Sequence, residues 1–172
     1  MVTGFEPFRQ WRVNSSWEAV RRLRPAPDLA IHCLPVGHRE AAREIERLIA
    51  KIRPDRVLLT GLADRPVPTL ELQARLGPSL TEASEPTRVG RWPFDLSLDA
   101  MHRYVIPSRL SSDAGRYVCE TTYWAALGTQ TPDVAFLHLP PIRGAWTAQR
   151  LTRAVTATLA TGRARVGGPA GW

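Results

Sequence analysis

A mostly apolar run of six residues, Arg-Val-Leu-Leu-Thr-Gly at positions 56–61, constrains the fold of this chain more than any other stretch. Its apolar residues are consecutive and do not alternate with polar ones, which predicts a parallel strand buried on both faces. The segment before it, 39–52, has apolar residues at helical spacing and ends before Pro54. Because a strand buried on both faces needs helices on both sides of its sheet, the run predicts an α/β protein.

Strands and helices alternate through the rest of the chain. The sequence predicts further strands near 1–4, 29–36, 109–112 and 134–138, and further helices near 15–23, 95–104, 119–127 and 146–159. Ser15, with Glu18 three residues later, predicts a capping box at the start of the first helix. The segment 77–93 is rich in Gly, Pro, Ser and charge and is expected to be a mobile loop. Strands that alternate with helices predict right-handed crossovers.

The length of 172 residues suits a single domain with one substantial core. We expect this domain to span residues 1–161 and to be followed by a flexible tail at 162–172. No apolar run approaches the roughly 18 residues of a membrane span, and no signal peptide opens the chain. The sequence therefore predicts a cytoplasmic protein that does not bind membranes.

Two cysteines, Cys33 and Cys119, are too few for a disulfide framework. Cys33 lies in an apolar, strand-like run and is expected to be part of the core. No Cys and His cluster has the spacing of metal ligands, so neither a metal nor another cofactor is expected. The net charge of +7 invites a nucleic-acid role, but the basic residues are scattered and interleaved with Glu. Specific nucleic-acid binding is therefore not expected, although the basic surface leaves it open as an alternative.

The segment 112–120 contains the second cysteine, Cys119, and leads into a predicted helix. Small and polar residues lead to Gly115, which is expected to form a turn, and the apolar segment 121–127 predicts a buried helix. Cys119 would then lie in the first helical turn, where unpaired N–H groups and the helix dipole favour a thiolate. The alternative is a buried cysteine with no chemical role.

A histidine and a carboxylate accompany Cys119 in the predicted sheet. His138 ends the strand at 134–138, and Glu71 lies in the short segment 69–72. A thiol, an imidazole and a carboxylate are the parts of an activated cysteine nucleophile. Two structural alternatives remain: Glu71 could be a charge at the sheet edge, and His138 could be a core residue bonded to the backbone.

Seven short motifs, in order along most of the chain up to about Pro141, resemble the pyroglutamyl peptidase I family of cysteine peptidases. They are Thr3-Gly4-Phe5-Glu6-Pro7-Phe8, Asn14-x-Ser16-Trp17-Glu18-Ala19-Val20, Leu34-Pro35-Val36, Gly61-Leu62-Ala63-x-Arg65, Thr69-Leu70-Glu71, Ser112-x-Ala114-Gly115-x-Tyr117-Val118-Cys119 and Phe136-Leu137-His138-x-Pro140. The resemblance implies a three-layer α/β/α sandwich around a twisted, mostly parallel sheet. It also implies a catalytic triad of Glu71, Cys119 and His138 that removes N-terminal pyroglutamate from peptides.

The same resemblance implies an apolar pocket for the pyroglutamyl ring. Its matching positions are Phe5, Phe8, Tyr117 and Val118, and plain packing of the two phenylalanines is the alternative. The expected partner is a peptide with a blocked N-terminus, and a homo-oligomer is possible because family members often assemble.

The sequence also departs from the family pattern. An Arg-x-Pro-Asp-Asn segment that normally follows the glutamate is missing, with Thr81 near the place of its arginine, and Arg75 or Arg88 could substitute for that arginine. Glu120 replaces an Asn after the cysteine, and a carboxylate there is expected to raise the thiol pKa. A Gly pair after Phe8 is replaced by Arg and Gln. These departures leave open a protein of this fold that binds ligands without peptidase activity.

Overall fold

A computed structural model gives the fold and describes residues 1–75 and 86–161. In these ranges the strands are β1 (Val2–Phe5), β2 (Ile31–Leu34), β3 (Arg56–Leu62), β4 (Thr69–Glu71), β5 (Gln73–Arg75), β6 (Thr87–Val89), β7 (Arg109–Ser111) and β8 (Asp133–Leu139). The helices are α1 (Ser15–Val20), α2 (His38–Ile52), α3 (Phe94–Arg103), α4 (Val118–Leu127) and α5 (Ala148–Ala160).

Six strands form one sheet in the order β2-β1-β3-β8-β4-β7. Neighbouring strands are parallel, with one exception in this sheet: β4 runs antiparallel to β8. The strands β3 and β8, buried in all but their first residues, lie at its centre, as the continuous apolar run at 56–61 predicts. The α/β fold with a mostly parallel sheet is therefore confirmed.

Helices cover both faces of the sheet, which gives three layers. On one face α2 and α4 pack against a core that includes Ile45, Leu59, Tyr123 and Phe136. On the other face α1, α3 and α5 enclose a second core that includes Val20, Leu58, Met101, Leu137 and Leu151. Alternate residues of β3 and β8 serve the two cores because successive side chains of a strand point to opposite faces. His138 shares its face with Phe136, and hence with α4.

The first helix starts differently from its prediction. Asn14, not Ser15, is the N-cap, and its side-chain oxygen accepts a hydrogen bond from the backbone N–H of Ser16 at 3.0 Å. Glu18 forms salt bridges with Arg21 and Arg22. The prediction of a capping box is therefore wrong. This glutamate has two guanidinium partners on its own helix, and Asn is at least as good an N-cap residue as Ser.

The segment predicted to be a mobile loop contains ordered structure. Residues 87–89 form β6, which pairs antiparallel with β5 at the register Gln73 to Val89. The prediction was wrong there because three-residue, mostly polar strands carry no usable hydrophobic period. Residues 76–85 and the expected tail at 162–172 lie outside the described residues.

Other boundaries differ by a few residues. The strand predicted at 29–36 is shorter, Ile31–Leu34, and lies at one edge of the sheet, so Cys33 is half-buried and not fully in the core. The last helix begins at Ala148, because Thr147 caps it by accepting a hydrogen bond from the N–H of Arg150. Within the described ranges, no helix is both long and apolar enough to cross a membrane.

Candidate active site

A cleft of about 570 Å³ opens where β1, β3 and β8 end and α4 begins. Carboxyl ends of parallel strands are the usual place for a site in such sheets. Cys119 and His138 both line the cleft. The other side chains that form its wall are those of Phe5, Phe8, Arg9, Gln10, Trp11, Asn14, Val36, His38, Leu62, Ala63, Asp64, Arg65, Ala114, Tyr117 and Val118.

Glu71 and His138 meet across the antiparallel pair of β4 and β8. His138 is paired with Thr69, so Glu71 is its diagonal neighbour on the same face. The Nδ1 atom of His138 lies 2.8 Å from Oε1 of Glu71, and both residues are buried. Glu71 is not a sheet-edge charge, because β4 lies between β8 and β7. His138 is held through Nδ1 by a carboxylate and not by the backbone.

Arg65 ties this pair to the loop that leads to the cysteine. Its Nη1 donates to Oε1 of Glu71 at 2.5 Å, and its Nη2 donates to the carbonyl oxygen of Asp113 at 2.6 Å. Glu71 is fully buried and Arg65 is 19% exposed. One guanidinium therefore fixes the spacing between β4 and the segment just before Cys119.

Cys119 lies in the first turn of α4, as the sequence predicts, and is the second residue of that helix. The turn that precedes it uses Gly115 at φ +83°, a left-handed conformation that glycine adopts without strain. Asp113 closes the turn by accepting the N–H of Gly115 at 3.0 Å. Below the thiol, Gly61 of β3 leaves room that a side chain would fill: a Cβ there would lie 2.8 Å from Sγ.

Burial acts against the ionisation that the sequence predicts for the thiol. Burial raises the pKa of Cys119 to about 12, its own backbone N–H offsets part of this rise, and Glu71 adds to it. Burial also lowers the pKa of His138, although its hydrogen bond to Glu71 opposes that effect. Desolvation therefore opposes the thiolate that the helix terminus favours. Both shifts favour the neutral forms of the thiol and the imidazole.

Glu120 does not act on the thiol in the expected way. Its carboxylate turns toward the short β5–β6 hairpin, where Oε1 accepts the backbone N–H of Arg75 at 3.0 Å. The groups that shift the pKa of Cys119 are its own burial and backbone, Glu71 and Arg65. The expected contribution of Glu120 to the pKa of the thiol is therefore wrong, and its carboxylate is held by the backbone of β5.

All four residues expected to hold the substrate ring line the cleft. Phe5 and Val118 are buried, Phe8 is half-buried and Tyr117 is 55% exposed. The N–H of Phe5 donates to Oγ of Ser16 at 3.0 Å, which fixes β1 against α1. The cleft therefore has an apolar interior and an open aromatic rim.

The two arginines suggested as substitutes lie elsewhere. Arg75 donates to the carbonyl oxygen of Ser112 at 3.4 Å, and Arg88 stacks on the ring of Trp124 and donates to its carbonyl oxygen at 2.6 Å. Neither residue lines the cleft. Thr81, near the place of the missing arginine, lies outside the described residues.

Sequence reasoning missed the roles of Arg65 and Gly61, although both stand in the motif at 61–65. Their roles could have been recognised from that motif only if the strand pairing that brings Glu71 beside His138 had been known. In the described part of the chain, no group of three or more His, Cys, Asp or Glu side chains is placed to hold a metal ion.

Comparisons with known proteins identify the family of this chain. The family model of pyroglutamyl peptidase matches residues 1–74. The pyrrolidone-carboxylate peptidase of Thermococcus onnurineus is 32% identical, over 81% of this chain and 82% of that protein. Pyroglutamyl-peptidase 1 of Homo sapiens is 28% identical, over 92% of this chain and 87% of that protein.

Solved structures show the same fold. The pyrrolidone carboxyl peptidase of Thermus thermophilus superposes with a TM-score of 0.79 at 29% identity, covering 92% of this chain and 97% of that one. Pyroglutamyl peptidase I of Bacillus amyloliquefaciens superposes with a TM-score of 0.84 at 22% identity, covering 95% of this chain and 94% of that one. With relatives above 30% identity that align over four fifths of their length, this chain belongs to the pyroglutamyl peptidase family of cysteine peptidases.

Proposed function

We propose that this protein removes N-terminal pyroglutamate from peptides through an acyl-enzyme on Cys119. The observation that carries the proposal is the 2.8 Å contact between Glu71 and His138 at the base of the cleft that Cys119 lines. A carboxylate bound to Nδ1 of an imidazole leaves Nε2 as the nitrogen that exchanges a proton with the nucleophile.

In the first step the thiol proton passes from Sγ of Cys119 to Nε2 of His138 as the sulfur attacks the amide carbonyl carbon. Because burial favours the neutral forms of both groups, we expect the charged pair to form as the sulfur attacks the substrate. Glu71 then stabilises the imidazolium. The bond from carbon to the leaving nitrogen breaks, and His138 returns its proton to the departing amine.

In the second step a water molecule gives a proton to His138 and attacks the thioester carbonyl. The carbon–sulfur bond breaks, free pyroglutamate leaves, and the proton returns to Sγ of Cys119. The negative oxygen formed in both steps would accept hydrogen bonds from N–H groups in the first turn of α4, where no side chain caps the helix.

The ring of the substrate would occupy the apolar interior between Phe5, Phe8 and Val118. This part of the cleft suits a small uncharged ring, and the buried Phe5 offers a rigid wall. Because a pyroglutamyl ring has no residue before it, a pocket that only the ring fills would select blocked N-termini over internal peptide bonds.

A second candidate is favoured by the high pKa of Cys119. A protein of this fold could bind blocked N-termini without cleaving them if the proton never leaves the buried thiol. The two candidates predict different fates for the same ligand, since the binding protein releases it intact.

The test is hydrolysis of a pyroglutamyl 7-amino-4-methylcoumarin amide by the wild type, Cys119→Ala and Cys33→Ala. We expect turnover by the wild type and by Cys33→Ala, and none by Cys119→Ala. Cys33 is the matched control because it is the other thiol of the chain and does not line the cleft. If the folded wild type binds the amide and releases it intact, the peptidase proposal is contradicted and the binding protein is the correct candidate.

A further inference from the structure

Arg9 has a backbone conformation that its side chain does not favour. Its φ is +50°, in the left-handed region where residues other than Gly are uncommon. The N–H of Trp11 donates to the carbonyl oxygen of Phe8 at 2.9 Å, which closes a tight turn with Arg9 at its corner. A strained residue with a long, charged side chain at an open cleft is a reason to look for a role in function.

The guanidinium of Arg9 contacts another residue of the cleft wall. It lies over the ring of Tyr117, 5.1 Å from the centroid, and both residues line the cleft that contains Cys119. The two belong to different loops, one after β1 and one before α4. A guanidinium in such a cation–π contact can still donate its N–H groups to an acceptor that lies in its own plane.

Among the Arg and Asp residues of the cleft wall, Arg9 is the one that makes no salt bridge to another described residue. Of the other charged residues along the cleft wall, Arg65 is bound to Glu71, and Asp64 is bound to Arg143 at 2.6 Å. In the described part of the chain, Arg9 forms no salt bridge. Its charge is therefore available to a ligand at the mouth of the cleft.

We propose that Arg9, held over Tyr117, forms a subsite that favours an acidic side chain on the residue just after the scissile bond. This inference rests on the proposed function, since it assumes that the ring fills the apolar interior. With the ring beside Cys119, the remainder of the peptide has to leave through the open mouth. The first side chain beyond the bond then passes the exposed rim that Arg9 and Tyr117 form.

The test compares pyroglutamyl-X-alanine peptides in which X is Glu, Gln or Lys. Glu and Gln have nearly the same shape, so their ratio of kcat/KM reports the charge. For an exposed ion pair we expect the wild type to prefer Glu over Gln by about two- to fivefold at low salt, and to cleave the Lys peptide more slowly than the Gln peptide. Both differences should shrink in 0.5 M NaCl.

Three variants of Arg9 separate charge from shape. Arg9→Gly suits the left-handed turn and should fold at least as well as the wild type, while Arg9→Gln removes only the charge. In both, the Glu to Gln ratio should approach one, and in Arg9→Lys part of it should remain. The control is Arg12→Gln, which removes the same charge from an exposed residue of the same loop that does not line the cleft, and it should keep the wild-type ratio.

Two results would overturn the inference while the proposed peptidase stands: equal cleavage of the Glu and Gln peptides by the wild type, or an unchanged ratio in Arg9→Gly and Arg9→Gln. If the wild type cleaves none of the peptides, the peptidase proposal fails separately. Calorimetric Kd values for the same peptides then decide on the subsite. A tighter Kd for Glu that Arg9→Gln abolishes supports it, and equal Kd values overturn it.

Discussion

Gly61 forms the floor beneath Cys119. A Cβ built on Gly61 would lie 2.8 Å from Sγ of Cys119 and 2.8 Å from Cζ of Phe136. Real Cβ atoms do not approach other atoms so closely, so any side chain at this position has to displace the thiol or the ring. The sulfur can take its position next to β3 only because residue 61 has no side chain.

Gly61→Ala should therefore damage both activity and stability. We expect overpacking to lower the free energy of unfolding by about 1–3 kcal/mol, and a shift of Sγ by a fraction of an ångström to lower kcat more than it changes KM. Urea unfolding and turnover of the coumarin amide measure the two effects. Gly144→Ala is the control: a Cβ there meets nothing within 4 Å, but the φ of +55° strains any residue other than glycine, so this variant should lose stability and keep the wild-type kcat. Wild-type kcat in a stable Gly61→Ala protein would contradict the prediction.

Alkylation of Cys119 should be slow at neutral pH. Because its pKa is raised to about 12, the thiol stays protonated at pH values where an ordinary cysteine, with a pKa near 8.5, is already a thiolate. In a Cys33→Ala background, the iodoacetamide rate should still be rising at pH 10. Glu71→Gln should move the curve to lower pH, and Glu120→Gln should leave it in place. A plateau reached by pH 8 would show that the thiol is activated without substrate.

Arg65→Met should impair catalysis by loosening Glu71 and the segment at Asp113. We expect kcat to fall by about 10- to 100-fold, with Arg65→Lys recovering part of the loss. The acid limb of the kcat/KM profile should also move to higher pH, because the cation lowers the pKa of His138 and its removal lets that pKa rise. A merely structural role would not shift this limb.

The control for Arg65 is Arg47→Met on α2. Arg47 also forms a salt bridge with a glutamate, Glu44, but on the exposed surface and away from the cleft. It should leave the pH profile unchanged. An acid limb that stays in place in Arg65→Met would show that Arg65 does not act through His138.

Asn14→Ala should destabilise the protein more than Ser15→Ala. The Asn14 side chain caps α1 at Ser16 and donates through Nδ2 to the carbonyl oxygen of Glu6 at 2.9 Å. Losing the cap and leaving buried partners unsatisfied should lower the free energy of unfolding by about 2 kcal/mol. Ser15 makes a single long hydrogen bond, 3.4 Å to Leu139, and its removal should cost less than about 1 kcal/mol. If the two variants lose the same free energy of unfolding in urea, the prediction that Asn14 is the more important cap fails.

The central elements of the fold could be predicted from the sequence because their patterns are local. The apolar run at 56–61 and the helical spacing at 39–52 each need only a dozen neighbouring residues to be recognised. The hairpin of β5 and β6 could not be predicted in this way. Its strands, Gln73–Arg75 and Thr87–Val89, are short and mostly polar, and they are defined by pairing with each other.

The residues of the site could be named from the sequence, but their state could not. The resemblance brings Glu71, Cys119 and His138 together, while the ionisation of the thiol depends on burial, which the sequence does not show. The direction of Glu120 is equally tertiary, since its partner is a backbone N–H of β5, 45 residues away. Sequence reasoning therefore predicts which groups are present better than it predicts their charge.

The antiparallel pairing of β4 with β8 determines which side chains of β4 face His138. Glu71 faces His138 because Thr69 and Glu71 share one face, while Leu70 between them enters the opposite core. An insertion or deletion of one residue between Arg65 and Thr69 that shifted the register would turn Leu70 toward the imidazole and push the carboxylate among α1, α3 and α5. A change of length in this loop is thus compatible with catalysis only when each residue of β4 keeps facing the same side of the sheet.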